Sequence, residues 1–83
     1  MNQKNKVTLY TQTYCQICDN VREYLNNNNV EFEEINILKP ENKEHYDMII
    51  EKQFETVPIT SINDFEFSWE GFQHHYIRKY MGV

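Results

Sequence analysis

The order of strand and helix patterns is the feature that most constrains the fold of this chain. Val7–Tyr10 joins β-branched and aromatic residues after a polar start, which predicts a strand. From Cys15 to Leu25 apolar residues recur at helical spacing, and the run Asn26–Asn29 predicts the end of that helix. Val30–Ile37 predicts a second strand. Because strands joined through a crossover helix run parallel, this βαβ start predicts a sheet covered by helices.

The second half of the chain adds two helices and two strands. Pro40 stands near the start of a helix, where its missing N–H is not needed. The apolar side of that helix is predicted to consist of Tyr46, Ile49, Ile50 and Phe54. Strands over 56–62 and 65–69 follow, joined by a turn at Asn63-Asp64. The last helix has an apolar face formed by Phe72, Tyr76, Ile77, Tyr80 and Met81. The predicted fold is α/β, with a four-stranded mixed sheet, three helices and the order β-α-β-α-β-β-α.

Length and charge narrow the possible functions. Eighty-three residues predict one domain over residues 1–83, and we expect a monomer. A net charge of −5 disfavours binding to nucleic acid or to an anionic membrane surface. No segment has the length and apolar character of a membrane span. The polar start Met1–Lys6 has no apolar stretch after it and predicts no secretory signal, so we expect a cytoplasmic protein.

Cys15 and Cys18 are the two cysteines of the chain, and their placement predicts redox chemistry. Two cysteines are too few for a disulfide scaffold, and a close pair in the cytosol is typical of a redox or metal site. Cys15 stands where the first helix begins, and unpaired N–H groups at a helix start favour a thiolate. Cysteines three residues apart on a helix share a face, which brings them within reach of a disulfide. Cys15 is the predicted attacking residue and Cys18 the resolving residue.

A metal site is the alternative interpretation of the pair. Cys15 and Cys18 would need two further ligands, for which His74 and His75 are the candidates. Adjacent histidines on a helix point about 100° apart, which disfavours two bonds to one ion. We therefore expect no metal and no cofactor.

Two motifs resemble the glutaredoxin family. The stretch 10–18, Tyr-Thr-Gln-Thr-Tyr-Cys-Gln-Ile-Cys, resembles that family's strand, loop and active-site helix, and Thr56-Val57-Pro58 resembles its Thr-Val-Pro turn. The resemblance implies a thioredoxin fold and a cis peptide bond at Val57-Pro58 beside the cysteines. It also implies that the turn binds an extended substrate by strand addition, which makes Thr56, Val57 and Pro58 substrate-binding candidates. Tyr14 either packs on a partner or covers the edge of the core.

The family's glutathione-holding positions are different in this chain. Glutaredoxins usually carry a Lys or Arg before the cysteines, Pro-Tyr between them, and a Gly-Gly near the last helix. Here Gln12 stands at the cation position, Gln16-Ile17 between the cysteines, and Glu70-Gly71 near the Gly-Gly. These departures disfavour glutathione as a ligand. Arg22 is assigned no role, because Asp19 and Glu23 flank it.

The C-terminal part resembles the NrdH-redoxin branch. That branch typically shows Trp-Ser-Gly-Phe-Arg-Pro before its last helix, and this chain reads Trp69-Glu70-Gly71-Phe72-Gln73-His74. The resemblance implies a protein that takes electrons from thioredoxin reductase and passes them to ribonucleotide reductase. It makes Trp69 and Gly71 substrate-binding candidates. The alternative for Trp69 is a position in the core, and a core position is also what we expect for Phe72.

The predicted function is that of a dithiol-disulfide oxidoreductase reducing protein disulfides, ribonucleotide reductase in particular, and recycled by thioredoxin reductase. Another disulfide-containing protein is the alternative client. One alternative function is a glutathione-dependent glutaredoxin, with glutathione as reductant. A second, of another class, is a thioredoxin-fold binding module whose cysteines are incidental or hold a metal. The position of Cys15 at a helix start disfavours this second alternative.

Overall fold

Strands and helices follow one another in the predicted order. The computed structural model describes residues 3–83. Its strands and helices are β1 (Val7–Thr11), α1 (Gln16–Asn27), β2 (Glu33–Asn36), a short 3-10 helix (Pro40–Asn42), α2 (Lys43–Glu51), β3 (Ile59–Ile62), β4 (Phe67–Glu70) and α3 (His74–Met81). The prediction of no secretory signal in Met1–Lys6 falls in part on residues 1 and 2, which lie outside the described residues.

The four strands form one mixed sheet in the order β2-β1-β3-β4. β1 pairs parallel with β2 and antiparallel with β3, and β3 pairs antiparallel with β4. In this register Tyr10 lies opposite both Ile35 and Ile59, while Glu70 lies on the other side of Ile59. The ends of β1, β2 and β4 and the start of β3 therefore meet at one edge of the sheet.

Each face of the sheet has its own hydrophobic core. Since neighbouring side chains of a strand point to opposite faces, Leu9 and Tyr10 belong to different clusters. Leu9 shares the first cluster with Val21, Leu25, Trp69 and Ile77, which are contributed by α1, β4 and α3. Tyr10 shares the second cluster with Ile35, Ile37, Ile49 and Ile59, which join it to α2 and the strands on either side. The helices thus cover both faces, as the βαβ pattern predicts.

Two predictions about the core were wrong in part. In α2 only Ile49 of the predicted apolar side is buried, while Tyr46 and Ile50 are 40% and 55% exposed. α2 ends at Glu51, so Phe54 lies beyond it. Phe72 was expected in the core and is 40% exposed, because α3 begins only at His74 and Phe72 belongs to the preceding turn.

The asparagine run ends α1 as predicted. The helix stops at Asn27, and Asn29 adopts a left-handed conformation with φ of 57°. The backbone N–H of Val30 donates to the carbonyl of Leu25 at 2.9 Å, and that of Asn29 donates to Asn26 at 3.1 Å. These two bonds form a Schellman motif, and Val30 and Leu25 also share the first core cluster.

α2 ends in the same motif, and the left-handed residue of that motif, Gln53, allows a test. The N–H of Phe54 donates to Ile49 and that of Gln53 donates to Ile50, and Gln53 is exposed with φ of 67°. Glycine lacks the Cβ that disfavours this conformation, so Gln53→Gly is expected to raise the free energy of unfolding by about 0.5–1 kcal/mol. Urea unfolding measures the change. Gln53→Ala, which keeps a Cβ, is the matched control and is expected to give no such gain; a glycine variant less stable than the alanine variant would contradict this account.

Candidate active site

Cys15 is the N-cap residue of α1. Its backbone is extended, with φ of −120° and ψ of 103°, and its carbonyl accepts the first helical bond, from the N–H of Asp19 at 3.1 Å. Its Sγ accepts a hydrogen bond from the backbone N–H of Cys18 at 3.1 Å. A cap side chain ordinarily satisfies the N–H three residues on, and here a sulfur atom does so. The sulfur of Cys15 therefore lies where the helix start favours negative charge.

Cys15 and Cys18 are joined in a disulfide bond, with their Cα atoms 5.2 Å apart. The two cysteines differ in their access to solvent. Cys18 is fully buried, whereas Cys15 is partly exposed. A bulky disulfide of another protein therefore has access to the sulfur of Cys15 and not to that of Cys18.

The Thr56-Val57-Pro58 turn lies at the same edge of the sheet. The Val57-Pro58 peptide bond is cis, which confirms the expectation drawn from the family resemblance. Pro58 is buried, Val57 is half-buried and Thr56 is exposed, with its hydroxyl donating to the carbonyl of Val57 at 3.2 Å. β3 starts at Ile59 rather than Thr56, because this turn occupies the residues before it.

Gly71 connects the end of β4 to this turn. Its N–H donates to the carbonyl of Pro58 at 2.8 Å. The φ of Gly71 is 78°, in the left-handed region that favours glycine. The structure therefore brings four of the substrate-binding candidates together: Thr56, Val57, Pro58 and Gly71.

Tyr14 and Trp69 have opposite environments. The side chain of Tyr14 is 101% exposed, so it does not cover the core. It stands in solvent beside Cys15, and Ile17, 50% exposed, adds a second apolar side chain there. Trp69 is only 7% exposed and packs against Tyr76 and Tyr80, with ring centroids 5.2 and 5.8 Å away. Its ring belongs to the first core cluster and is not part of the exposed surface around Cys15.

Sequence reasoning missed a charged network around Arg22. The guanidinium donates two hydrogen bonds to Glu34 on β2, each 2.6 Å long, and one to Asp19 at 2.6 Å. Glu34 also accepts a hydrogen bond from the hydroxyl of Thr11, the last residue of β1, at 3.0 Å. Of these contacts, the spacing of Asp19 and Arg22 is visible in the sequence, since side chains three apart on a helix are neighbours. The contact to Glu34 depends on the pairing of β2 with β1.

The network shifts the pKa of Arg22 and of Glu34 in opposite directions. Hydrogen bonds to Glu34 and then to Asp19 raise the pKa of Arg22 above its usual value. The hydrogen bond from Arg22 is the main cause that lowers the pKa of Glu34, and the Thr11 hydroxyl adds to it against the opposing effect of burial. Near neutral pH Arg22 and Glu34 therefore both carry their charges.

A cleft of about 240 Å³ lies beside the cis turn. It is lined by Gln12, Ile37, Ile49, Ile50, Phe54, Glu55, Thr56 and Val57. Among these described lining residues Glu55 is the charged one, and it is a carboxylate. The cleft next to Val57 therefore has no cation among these lining residues.

Two further properties concern metals and membranes. Within residues 3–83, no three His, Cys, Asp or Glu side chains lie close enough together to hold a metal ion. Across the same residues, none of the helices has both the length and the apolar character needed to cross a membrane.

Comparison with known proteins identifies the family. The glutaredoxin family profile matches residues 7–66, which include the cysteine pair and the cis turn. The chain belongs to the glutaredoxin family. It is 36% identical over 62 residues to the glutaredoxin-like protein NrdH of Lactococcus lactis subsp. lactis, a match covering 75% of this chain and 83% of that protein.

Solved structures of glutaredoxin-like proteins share the fold. NrdH-redoxin from Escherichia coli superposes with a TM-score of 0.79 at 24% identity, covering 89% of this chain and 92% of that one. A glutaredoxin from Methanosarcina mazei gives 0.78 at 29% identity, covering 94% and 79%. The mixed sheet and its helices are the thioredoxin fold of this family. As a glutaredoxin-family protein with a Cys-x-x-Cys pair, the chain is a thiol-disulfide oxidoreductase.

Proposed function

We propose that this glutaredoxin-family protein passes two electrons from a thioredoxin reductase to disulfides of client proteins, with ribonucleotide reductase as the main client. Its similarity to NrdH of Lactococcus lactis supports this choice. The E. coli NrdH-redoxin, which shares its fold, is described as having a thioredoxin-like activity profile. The two cysteines form one close Cys-x-x-Cys pair rather than a disulfide scaffold, which supports a cytoplasmic location.

The proposed reaction uses the two cysteines in sequence. The thiolate of reduced Cys15 attacks one sulfur of the client disulfide, and the other client sulfur leaves as a thiolate. The thiol of Cys18 then loses its proton and attacks the Sγ of Cys15, which releases the second client thiolate. The client has gained two electrons, and the protein is left with the Cys15–Cys18 disulfide described above. The partial exposure of Cys15 and the burial of Cys18 support this order.

We propose that the client binds as an extended segment along the cis turn. Backbone groups of Val57 form the strand-like pairing, Thr56 and Pro58 shape the turn, and Gly71 keeps β4 close to it through its bond to Pro58. Tyr14, fully exposed beside Cys15, packs on the client. Trp69 acts from within the core by fixing the end of β4.

The charges around the groove are the single observation that carries the choice of reductant. Glutathione has two carboxylates, which bind well to paired cations or to backbone N–H groups. Gln12 lines the cleft at the position where the family usually has a cation, and Glu55 adds a negative charge. Glu70 lies opposite Ile59 in the sheet, next to the cis turn, and contributes another. These charges oppose glutathione binding and leave a protein reductase as the better electron source.

A coupled NADPH assay tests the proposal. The oxidised protein is given either a bacterial thioredoxin reductase or 1 mM glutathione with glutathione reductase, together with an excess of a protein disulfide such as insulin as the final electron acceptor, and NADPH oxidation is followed at 340 nm. We expect rapid turnover with thioredoxin reductase and a rate at least about tenfold lower with glutathione, as expected for one missing charge-assisted hydrogen bond. Efficient reduction by glutathione together with no reaction with thioredoxin reductase would identify a glutathione-dependent glutaredoxin instead.

The client is tested separately. Reduced protein is supplied as the sole electron donor to ribonucleotide reductase, and deoxynucleotide formation is measured. Turnover is expected with this donor and is expected to stop when the donor is omitted. Reduction of other protein disulfides without support of ribonucleotide reductase would disprove this client and leave the oxidoreductase activity intact.

A further inference from the structure

We infer that Arg22 is a positioning residue that sets the reactivity of the reduced Cys15 thiolate by neutralising Asp19 and Glu34. The inference rests on the proposed role of Cys15 as the attacking residue. Arg22 does not touch the reacting sulfur atoms; it acts through the two carboxylates that its guanidinium holds.

The first step of the argument is the position of Arg22 on α1. Cys15, Asp19 and Arg22 follow one another at spacings of four and three residues, so they lie along one face of the helix. Asp19 also donates its backbone N–H to the carbonyl of Cys15 at 3.1 Å. The Asp19 carboxylate therefore belongs to the first helical turn after Cys15, where a negative charge opposes a thiolate.

The second step is the link between the network and the active-site loop. Glu34 receives two hydrogen bonds from Arg22 and one from Thr11, which ends β1 just before the loop that carries Tyr14 and Cys15. The network thus joins α1, β1 and β2 at the edge of the sheet where the cysteines lie. The Arg22 and Glu34 side chains are only 35% and 29% exposed, so water screens their pair less than it screens a fully exposed pair.

The third step is the balance of charge at this end of the sheet. The charged side chains on the neighbouring segments are Asp19, Arg22 and Glu23 on α1, Glu33 and Glu34 on β2, Lys39, Glu41 and Lys43 after β2, Glu55 before the cis turn, and Glu70 at the end of β4. Lys43 is bonded to Asp47, away from the network. Arg22 is the cation bonded to both Asp19 and Glu34. Without it, two negative charges oppose the formation of a thiolate at Cys15.

The sign of the effect follows. Loss of the Arg22 charge destabilises the Cys15 thiolate. Less thiolate is then present near neutral pH, so Cys15 reacts more slowly with alkylating agents. The reduction potential of the Cys15–Cys18 pair becomes more negative, because the reduced form is less stable. Loss of either carboxylate charge has the opposite effect on both quantities.

The test uses variants that break the same contact with opposite changes in charge. Reduced protein is alkylated with iodoacetamide over a range of pH at low ionic strength, and peptide mass spectrometry identifies the modified cysteine. Where the thiolate is the minor form, we expect Arg22→Gln to slow alkylation of Cys15 about two- to fivefold, and Glu34→Gln and Asp19→Asn to accelerate it by a similar factor. Arg22→Lys is expected to restore most of the rate, because it keeps the charge.

The controls separate charge from structure. Lys6→Gln changes the net charge as Arg22→Gln does, but Lys6 pairs with Asp64 at the opposite end of the sheet. In this variant Cys15 is therefore expected to be alkylated as fast as in the unmodified protein. If Arg22→Gln and Glu34→Gln shift the rate in the same direction, the network is merely structural and the inference is wrong. If Cys18 rather than Cys15 is alkylated first, the proposed function itself fails at its first step.

Discussion

Cys15→Ser is expected to lower disulfide reductase activity to the rate of the uncatalysed exchange. A serine hydroxyl has no thiolate to attack a disulfide, and Cys18 is fully buried and cannot take over the attack. Activity is measured as NADPH-coupled reduction of a protein disulfide. Circular dichroism and urea unfolding show whether the variant keeps its fold, so that loss of activity is not confused with unfolding.

Cys18→Ser is the matched variant and is expected to behave differently. Cys15 still attacks, but without Cys18 the mixed disulfide with the client is not resolved from within the protein. The covalent complex is therefore expected to accumulate on a non-reducing gel and to disappear when dithiothreitol is added. The reverse pattern, with Cys18→Ser inactive and Cys15→Ser trapping the client, would exchange the roles of the two residues.

Gln12→Lys combined with Glu70→Gly is expected to improve turnover with glutathione about tenfold or more. The lysine adds a cation to the cleft beside Val57, and the glycine removes a carboxylate next to the cis turn. Each charge-assisted hydrogen bond gained is worth roughly 1.5–3 kcal/mol, which is a factor of ten or more in affinity. The gain is expected in kcat/KM for glutathione, measured with glutathione reductase and NADPH.

A control for net charge accompanies this double variant. Asn26→Lys with Asp64→Gly makes the same change in net charge at two exposed residues near the opposite end of the sheet. Asn26 lies at the end of α1, and Asp64 lies in the turn before β4. It is expected to leave glutathione turnover unchanged. Equal gains in the two double variants would mean that overall charge, rather than the groove, limits the reaction with glutathione. A double variant at positions 12 and 70 with no gain would mean that these two side chains do not exclude glutathione.

Much of the site was predictable because it depends on local rules. A strand followed by a helix beginning at Cys15 follows from composition and spacing, and the cap geometry at Cys15 agrees with it. The cis bond at Val57-Pro58 is a different case. Nothing in local propensity requires it, since cis bonds occur at only about 5–6% of X-Pro positions, and the expectation depended on the family's Thr-Val-Pro motif.

The sequence by itself determined the order of the elements, the helix start that holds Cys15 and the asparagine run that ends α1, because each is decided by residues within one or two helical turns. Only the tertiary structure decided which aromatic side chains are buried. Trp69 is covered by α3, whereas Tyr14 stands in solvent on the loop before α1. The bond from Arg22 to Glu34 has the same origin, since it joins residues 12 apart that meet only after β2 pairs with β1. Pairing between distant segments sets these contacts, and no pattern within a short stretch of sequence contains that information.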